Sequence, residues 1–225
     1  MSYLDIVADN FRFHDKSMRA VGYSLKSISY SAKYKGTDAA KKMNNIGSQI
    51  SWLRQTLRVG SELAVVKNLL TLIRDRNKME TAEWITEMGE VIAGVYFYTV
   101  DHLEWMIKNK IVNFSKPWVD WICNESTMAW CYTTTAQTIH RLVGLYLIWK
   151  KLNAADKNGL SKEERTKLYK ARRTLFYMLI KGFVDYAMIA YYLKPSIASG
   201  PVLSYSYGVV ASCMDIFLIF KGGSL

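Results

Sequence analysis

The stretch VYFYTVDHLEW (residues 95–105) carries the side chains best suited to chemistry in this sequence. Asp101, His102 and Glu104 place two carboxyl groups beside an imidazole, a combination that serves general acid–base catalysis when a substrate lies within reach. The same residues could instead mark the polar end of an apolar helix where it meets water. A proton-transfer site needs a second polar cluster facing this one, and the sequence offers none. We therefore expect a structural role for these residues.

Other patterns of catalysis or metal binding are missing from the sequence. It contains no glycine-rich phosphate loop, no GxSxG and no HExxH. Cys123, Cys131 and Cys213 have no CxxC spacing and no histidine at a metal-ligand distance, and His14 and His140 are isolated. We expect no enzymatic activity, no catalytic residues, no metal site and no cofactor.

The composition indicates a helical protein with an anionic partner. The 225 residues include only three prolines, which leaves most of the chain able to form helices. The net charge is +11, and such an excess of basic residues is typical of proteins that bind nucleic acid or the anionic face of a membrane.

Residues 1–87 are predicted to form a basic region of amphipathic helices facing the cytosol. A first helix is expected over 15–34, and Gly36 with Thr37 or Asp38 separates it from a second. On the second helix, four aliphatic residues fall within about 60° of one another. We predict that these residues insert into a membrane: Ile46, Ile50, Leu53 and Leu57. We predict that six basic residues contact anionic lipids: Arg19, Lys26, Lys33, Lys41, Arg54 and Arg58.

Nucleic-acid binding is the alternative interpretation of this basic region. Lysine and arginine beside Tyr23 and Tyr30 could neutralise phosphates and stack on bases. That function predicts binding of a 1–87 fragment with a steep salt dependence. Lipid binding explains more, because apolar segments follow in the same chain, so we expect lipid and no nucleic acid as partner.

Residues 88–225 contain four apolar segments that approach the length of a membrane span: 88–107, 128–149, 174–193 and 200–220. Each is interrupted by polar residues, so a soluble helical bundle is the alternative. Aromatic residues at the segment ends favour a membrane, as in interfacial belts. These residues are Trp105, Trp130, Trp149, Tyr191 and Tyr192. The predicted fold is thus all-α, with N-terminal amphipathic helices followed by a membrane-embedded bundle of about four hydrophobic helices.

Charge asymmetry predicts the topology of these segments. A basic loop is expected at 150–173, with nine basic and three acidic residues, whereas 108–127 has three basic and two acidic residues. The positive-inside rule then places the basic loop and both termini in the cytosol. A two-span alternative, in which only 88–107 and 200–220 cross, would put the basic loop on the opposite side.

Polar residues within the apolar segments are candidates for a pore or for helix packing. Arg141, Asp185 and Asp215 are costly inside a membrane unless they are paired or hydrated, although Lys181 lies four residues before Asp185 and could neutralise it. In the last segment, the small residues at every fourth position are predicted to allow close helix packing: Ser204, Gly208 and Ser212.

Four segments together resemble the peroxin-11 family of peroxisomal membrane proteins. They are HDKSMRAVGYSLK (14–26), ISWLRQTLRVGSEL (50–63), YFYTVDHLEWMIKNKIV (96–112) and LIKGFVDYAMIAYYL (179–193). The chain looks most like the glycosomal integral membrane proteins of kinetoplastids.

This resemblance implies a multi-pass protein of the peroxisomal or glycosomal membrane that promotes elongation, fission and proliferation of the organelle. It implies action through an amphipathic helix that inserts into one leaflet, homo-oligomerisation and contact with fission machinery. A pore for small metabolites is the alternative that the family suggests.

Overall fold

The computed structural model describes residues 3–59, 61–158, 161–195 and 200–222, which are almost entirely helical. The helices are α1 (Tyr3–Tyr30), α2 (Asp38–Leu57), α3 (Ser61–Arg74), α4 (Thr81–Lys108), α5 (Lys116–Asn158), α6 (Lys162–Leu193) and α7 (Pro201–Phe220). A single 3₁₀ turn, Arg76–Lys78, precedes α4, and no strand occurs among these residues. The all-α class is confirmed.

Local signals explain several helix boundaries. Gly36 adopts a φ of 82°, which a side chain would disfavour. The Thr37 hydroxyl then caps α2 by accepting a hydrogen bond from the Ala40 amide at 3.1 Å. Helix α1 is longer than the expected 15–34 at its start and ends four residues earlier, at Tyr30.

The segment 150–173 is not a loop, in contrast to the prediction. Its first residues continue α5 to Asn158, and α6 begins at Lys162. Ser161 and Glu164 form a capping box at the start of α6. The lysine, arginine, glutamate and leucine residues of this segment are strong helix formers. The basic charge of this segment therefore did not indicate a loop, since its residues extend α5 and begin α6.

Helix α1 packs along α7 in an antiparallel arrangement. At one end Phe13 contacts Phe220, with ring centroids 5.5 Å apart, and at the other the Ser27 and Ser206 hydroxyls are 3.0 Å apart. The remaining pairs of α-helices that pack together are α1 with α2, α2 with α4, α3 with α4, α4 with α5, α5 with α6, and α6 with α7. The division expected at residue 87 falls inside α4, and the N-terminal helices pack on the C-terminal ones.

The small residues of α7 lie at its contacts with α1 and α6. Ser204, Gly208 and Ser212 are all buried. A Cβ atom added at Gly208 would overlap the Tyr23 ring of α1 and lie 2.6 Å from the Met188 sulfur of α6. Glycine at this position therefore lets three helices approach closely.

Helix α7 is the candidate membrane span of this structure. Among the described residues it alone is long and apolar enough to cross a membrane, with a mean hydropathy of 1.6. Ionisable residues interrupt the apolar segments of α4, α5 and α6, including Glu90, Arg141 and Asp185. The expected bundle of about four membrane helices is therefore not confirmed.

The accessible surface area of the fold is larger than expected for a compact protein of this mass. Its accessible area is 13809 Å², whereas a compact protein of 25.9 kDa exposes roughly 10,500 Å². Large apolar side chains contribute to this excess on several helices, among them Trp118, Trp149 and Phe183. Exposed apolar surface of this extent is typical of proteins that contact a membrane or a partner.

Candidate functional site

The outer face of α2 presents three of the four aliphatic residues predicted to enter a membrane. Ile46, Leu53 and Leu57 are 51%, 43% and 36% exposed. Ile50 instead packs towards α1, where its Cγ2 atom would lie 3.2 Å from a Cβ added at Gly22. In this conformation Ile50 is thus part of the contact between α1 and α2.

The inner side of α2 is held to α1 by a buried ion pair. Arg54 Nε donates to Asp15 Oδ1 at 2.9 Å and to the Asp15 carbonyl at 3.1 Å, and its Nη2 donates to Asp15 Oδ2 at 3.3 Å. Burial acts to raise the pKa of Asp15, but the charges of Arg54 and Lys16 outweigh it, so this pKa lies below its ordinary value. Arg54 is therefore engaged inside the fold.

The DHLEW residues join α4 to the end of α2. Arg58 Nη2 and Gln55 Nε2 both donate to Asp101 Oδ1 at 3.3 Å. Trp105 Nε1 donates to the Thr56 hydroxyl at 2.9 Å. The Asp101 carboxylate thus accepts hydrogen bonds from residues at the end of α2. Among the described residues, no three His, Cys, Asp or Glu side chains converge as metal ligands would.

A second buried cluster joins α1 to α6 and α7. Arg19 Nη2 donates to Asp185 Oδ1 at 2.7 Å, and Lys181 lies 3.0 Å from the same carboxylate. Lys181 also reaches Asp215 at 3.2 Å, and Lys16 approaches Asp215 at 3.4 Å. The local neutralisation of Asp185 by Lys181 is present, and α1 adds two further cations that the sequence pattern did not reveal. Both carboxylates are therefore neutralised within the fold.

The three residues predicted to line a pore do not all line the same cavity. Arg141 links α5 to α6, since its Nη1 donates to the Met178 carbonyl at 2.8 Å and its Nη2 to Gln137 Oε1 at 3.1 Å. A cavity of about 860 Å³ lies between the helices and is lined by Asp185, but not by Arg141 or Asp215. Asp185 and Asp215 thus share the Lys181 contact between α6 and α7, whereas Arg141 lies in the contact of α5 with α6.

The six basic residues predicted to contact lipid fall into two groups. Four are engaged within the helix packing: Arg19 with Asp185, Lys26 with Ser51, Arg54 with Asp15 and Arg58 with Asp101. Lys33 and Lys41 lie on the surface, where Lys41 makes only a local ion pair with Asp38. In this conformation, Arg19 and Arg54 are too deeply buried to reach a headgroup. Arg19 pairs with the buried Asp185 and Arg54 with the partly buried Asp15.

Helices α3 and α4 expose further apolar residues that the prediction omitted. These are Val66, Leu70, Ile73, Ile85 and Ile92. Those on α3 are spaced by four and three residues, and the two on α4 by seven. In each helix this spacing in the sequence predicts a single face. They add apolar surface to that of α2.

Comparison with known protein families identifies the family of this chain. The profile of the family described as Peroxisomal biogenesis factor 11 (PEX11) matches residues 7–216, nearly the whole chain. Comparisons with individual curated proteins and with solved structures gave no significant match. The matching family is one of biogenesis factors of the peroxisomal membrane and is not known as a family of enzymes. The chain belongs to the peroxisomal biogenesis factor 11 family.

Proposed function

We propose that this protein promotes elongation, fission and proliferation of peroxisomes or glycosomes by inserting the apolar face of α2 into the membrane. The observation that supports this mechanism most directly is the exposure of Ile46, Leu53 and Leu57 on one side of α2. Helix α1 and the Asp101 region of α4 hold the other side of α2 in place. The apolar face can thus meet lipid while the rest of the fold stays assembled.

The energy of insertion favours action by several copies. Full burial of a large aliphatic side chain contributes about 1.5–3 kcal/mol, so three half-exposed residues would contribute about 2–4 kcal/mol. Lys33 and Lys41 add about 1 kcal/mol each near an anionic surface. The sum corresponds to a dissociation constant of roughly 1 mM to tens of micromolar. Homo-oligomerisation would raise this weak binding through avidity.

The localisation proposed for this function is multi-pass, with both termini in the cytosol. Helix α7 supplies one candidate span, and anionic lipids of the cytosolic leaflet are the proposed partners of α2. Fission machinery is the proposed protein partner, and we propose no role in nucleic-acid binding.

The test compares two pairs of substitutions in the full-length protein. Leu53→Glu with Leu57→Glu places two charges in the apolar face, and these positions are exposed, so the fold should be kept. Asn45→Glu with Gln49→Glu adds the same charge to the same helix at exposed polar positions. The first pair should abolish tubulation of reconstituted anionic vesicles and elongation of the organelle in cells, and the second pair should weaken both only slightly. Equal activity of the two pairs would contradict insertion by this face.

A metabolite pore remains the second candidate, and the cavity of about 860 Å³ is the observation in its favour. A pore through this cavity predicts conductance of the purified protein in planar bilayers, with an ion selectivity that changes in Arg12→Glu, because Arg12 lines the cavity. An absence of conductance at every voltage would leave membrane remodelling as the proposed function.

A further inference from the structure

The cavity between α1, α2, α4, α5 and α6 has a basic wall. Its volume of about 860 Å³ is within the range of roughly 300–1,000 Å³ that is typical of ligand sites. Eight basic and five acidic side chains line it. The wall therefore carries a net positive charge before any ligand is considered.

Most of the acidic residues of this wall already have basic partners. The pairs are Asp15 with Arg54, Asp101 with Arg58, Glu104 with Lys108 and Asp185 with Arg19. These contacts neutralise four of the five wall carboxylates. Lys16 and Lys181 also contact Asp215, which lies outside the wall. This leaves Lys26 available to a ligand.

Lys26 is the half-buried cation of this wall that has no acidic partner. Its ammonium donates to the Ser51 hydroxyl at 3.3 Å, and within the described part of the chain no carboxylate oxygen lies within 4.0 Å of it. Burial lowers the pKa of Lys26, and the nearby Lys108 and Arg54 lower it further against the opposing effect of Tyr23. An ammonium group in such surroundings is costly unless an anion neutralises it.

Further donors on the same wall lack acceptors. Among the residues that the structure describes, the buried Arg58 Nε has no hydrogen-bond partner. Ser48 also lines the cavity, and its hydroxyl can donate. A ligand that pairs with Lys26 needs a negative charge and acceptor oxygens.

We propose that this cavity binds a phosphate monoester, anchored by Lys26. Ser51 positions Lys26, because its hydroxyl accepts from the ammonium at 3.3 Å and donates to the Gly47 carbonyl at 2.9 Å. A phosphate monoester carries a charge of about −1.5 to −2 at neutral pH and three strong acceptor oxygens, which matches the unpaired lysine and the free donors. The group could belong to a lipid headgroup, as in phosphatidic acid, or to a soluble metabolite. The site lies on the inner side of α2, so its existence does not depend on insertion of the outer face.

The first arm of the test uses inorganic phosphate and the full-length protein in an uncharged detergent. Calorimetric titration at constant ionic strength should show saturable binding of phosphate that chloride does not reproduce. Lys26→Gln should weaken it by about 10-fold or more, since a hydrogen bond to a charged group is lost. Lys35→Gln is the matched control, because it removes the same charge from an exposed position, and it should bind phosphate as the wild type does.

The second arm uses phosphatidylcholine nanodiscs with and without phosphatidic acid. A rise in Tm with phosphatidic acid that Lys26→Gln abolishes supports the lipid as a source, and a Lys26-dependent effect in the detergent arm supports a soluble phosphate. Ser51→Ala, which retains the charge, should weaken binding by a smaller factor and serves if Lys26→Gln loses its helical circular dichroism. The proposal is overturned if Lys26→Gln and Ser51→Ala match the wild type in both arms. It is also overturned if the wild type responds to neither probe.

Discussion

The pair of Arg19 and Asp185 offers the sharpest test of the helix arrangement. Asp185→Asn keeps the size of the side chain and removes its charge. Arg19 would then keep the Tyr23 and Trp130 rings, each 5.5 Å away, and the charge of Asp215 as favourable neighbours, but no directly paired carboxylate. Lys181 would keep its contact with Asp215 at 3.2 Å. The substitution therefore leaves one buried cation uncompensated.

The expected destabilisation follows from that loss. Breaking a buried ion pair from one side costs about 3–5 kcal/mol, a large share of the roughly 5–15 kcal/mol that stabilises a typical fold. For a chain of this size each kcal/mol shifts Tm by about 2–4 °C, so we expect Tm to fall by about 6–20 °C. Thermal unfolding of the detergent-solubilised protein, followed by circular dichroism, measures this shift.

Two further variants make the measurement decisive. Asp38→Asn breaks the exposed pair with Lys41 and should leave Tm within about 4 °C of the wild type. Arg19→Met combined with Asp185→Leu removes both charges, and it should recover most of the stability, because apolar replacement of a whole buried pair is often neutral. The reasoning is refuted if Asp185→Asn unfolds at the wild-type temperature, or if the double variant is less stable than the single one.

Three further outcomes are expected. Gly208→Ala should lower stability by about 1–3 kcal/mol through overpacking, whereas Gly89→Ala, whose Cβ would meet nothing within 4 Å, should not; equal Tm values for these two variants would contradict the close approach of α7. Because the pKa of Asp15 is lowered in the fold, its pair with Arg54 should stabilise the protein at neutral pH and lose this contribution as pH falls below about 4. Urea unfolding between pH 2.5 and 5 should show a shallower decline in Arg54→Gln, and identical slopes would argue against the pair. Trypsin added to intact organelles should cleave within 150–173 and spare the α4–α5 turn; protection of 150–173 until detergent is added would favour the two-span topology.

Local sequence patterns predicted much of the secondary structure. The aliphatic residues of α2 recur at helical spacing, and Gly36 with Thr37 marks its start as expected. The small residues of α7 were identified by their four-residue repeat. These features depend on neighbours within one or two turns, which is the range over which a sequence pattern is informative.

Patterns of charge were less informative about loops and spans. The basic segment 150–173 forms helices because lysine, arginine and glutamate favour them, whatever the net charge. The expected number of membrane helices is also not confirmed, since the apolar segments of α5 and α6 contain ionisable residues that the fold pairs internally. Asp185 and Arg141 both have their partners on other helices as well as their own.

The sequence by itself determined the all-helical class, the amphipathic face of α2, the small-residue face of α7 and membership of the PEX11 family. Only the tertiary structure decided which of the charged residues remain on the surface. Arg19 and Asp185 are 166 residues apart in the chain, so no local periodicity could reveal that they form a pair. Lys33 and Lys41 were predicted to contact lipid together with Arg19, yet these two lysines remain exposed. The physical reason is that helix formation depends on contacts between residues three or four positions apart, whereas the pairing of a buried charge depends on which helices the fold brings together.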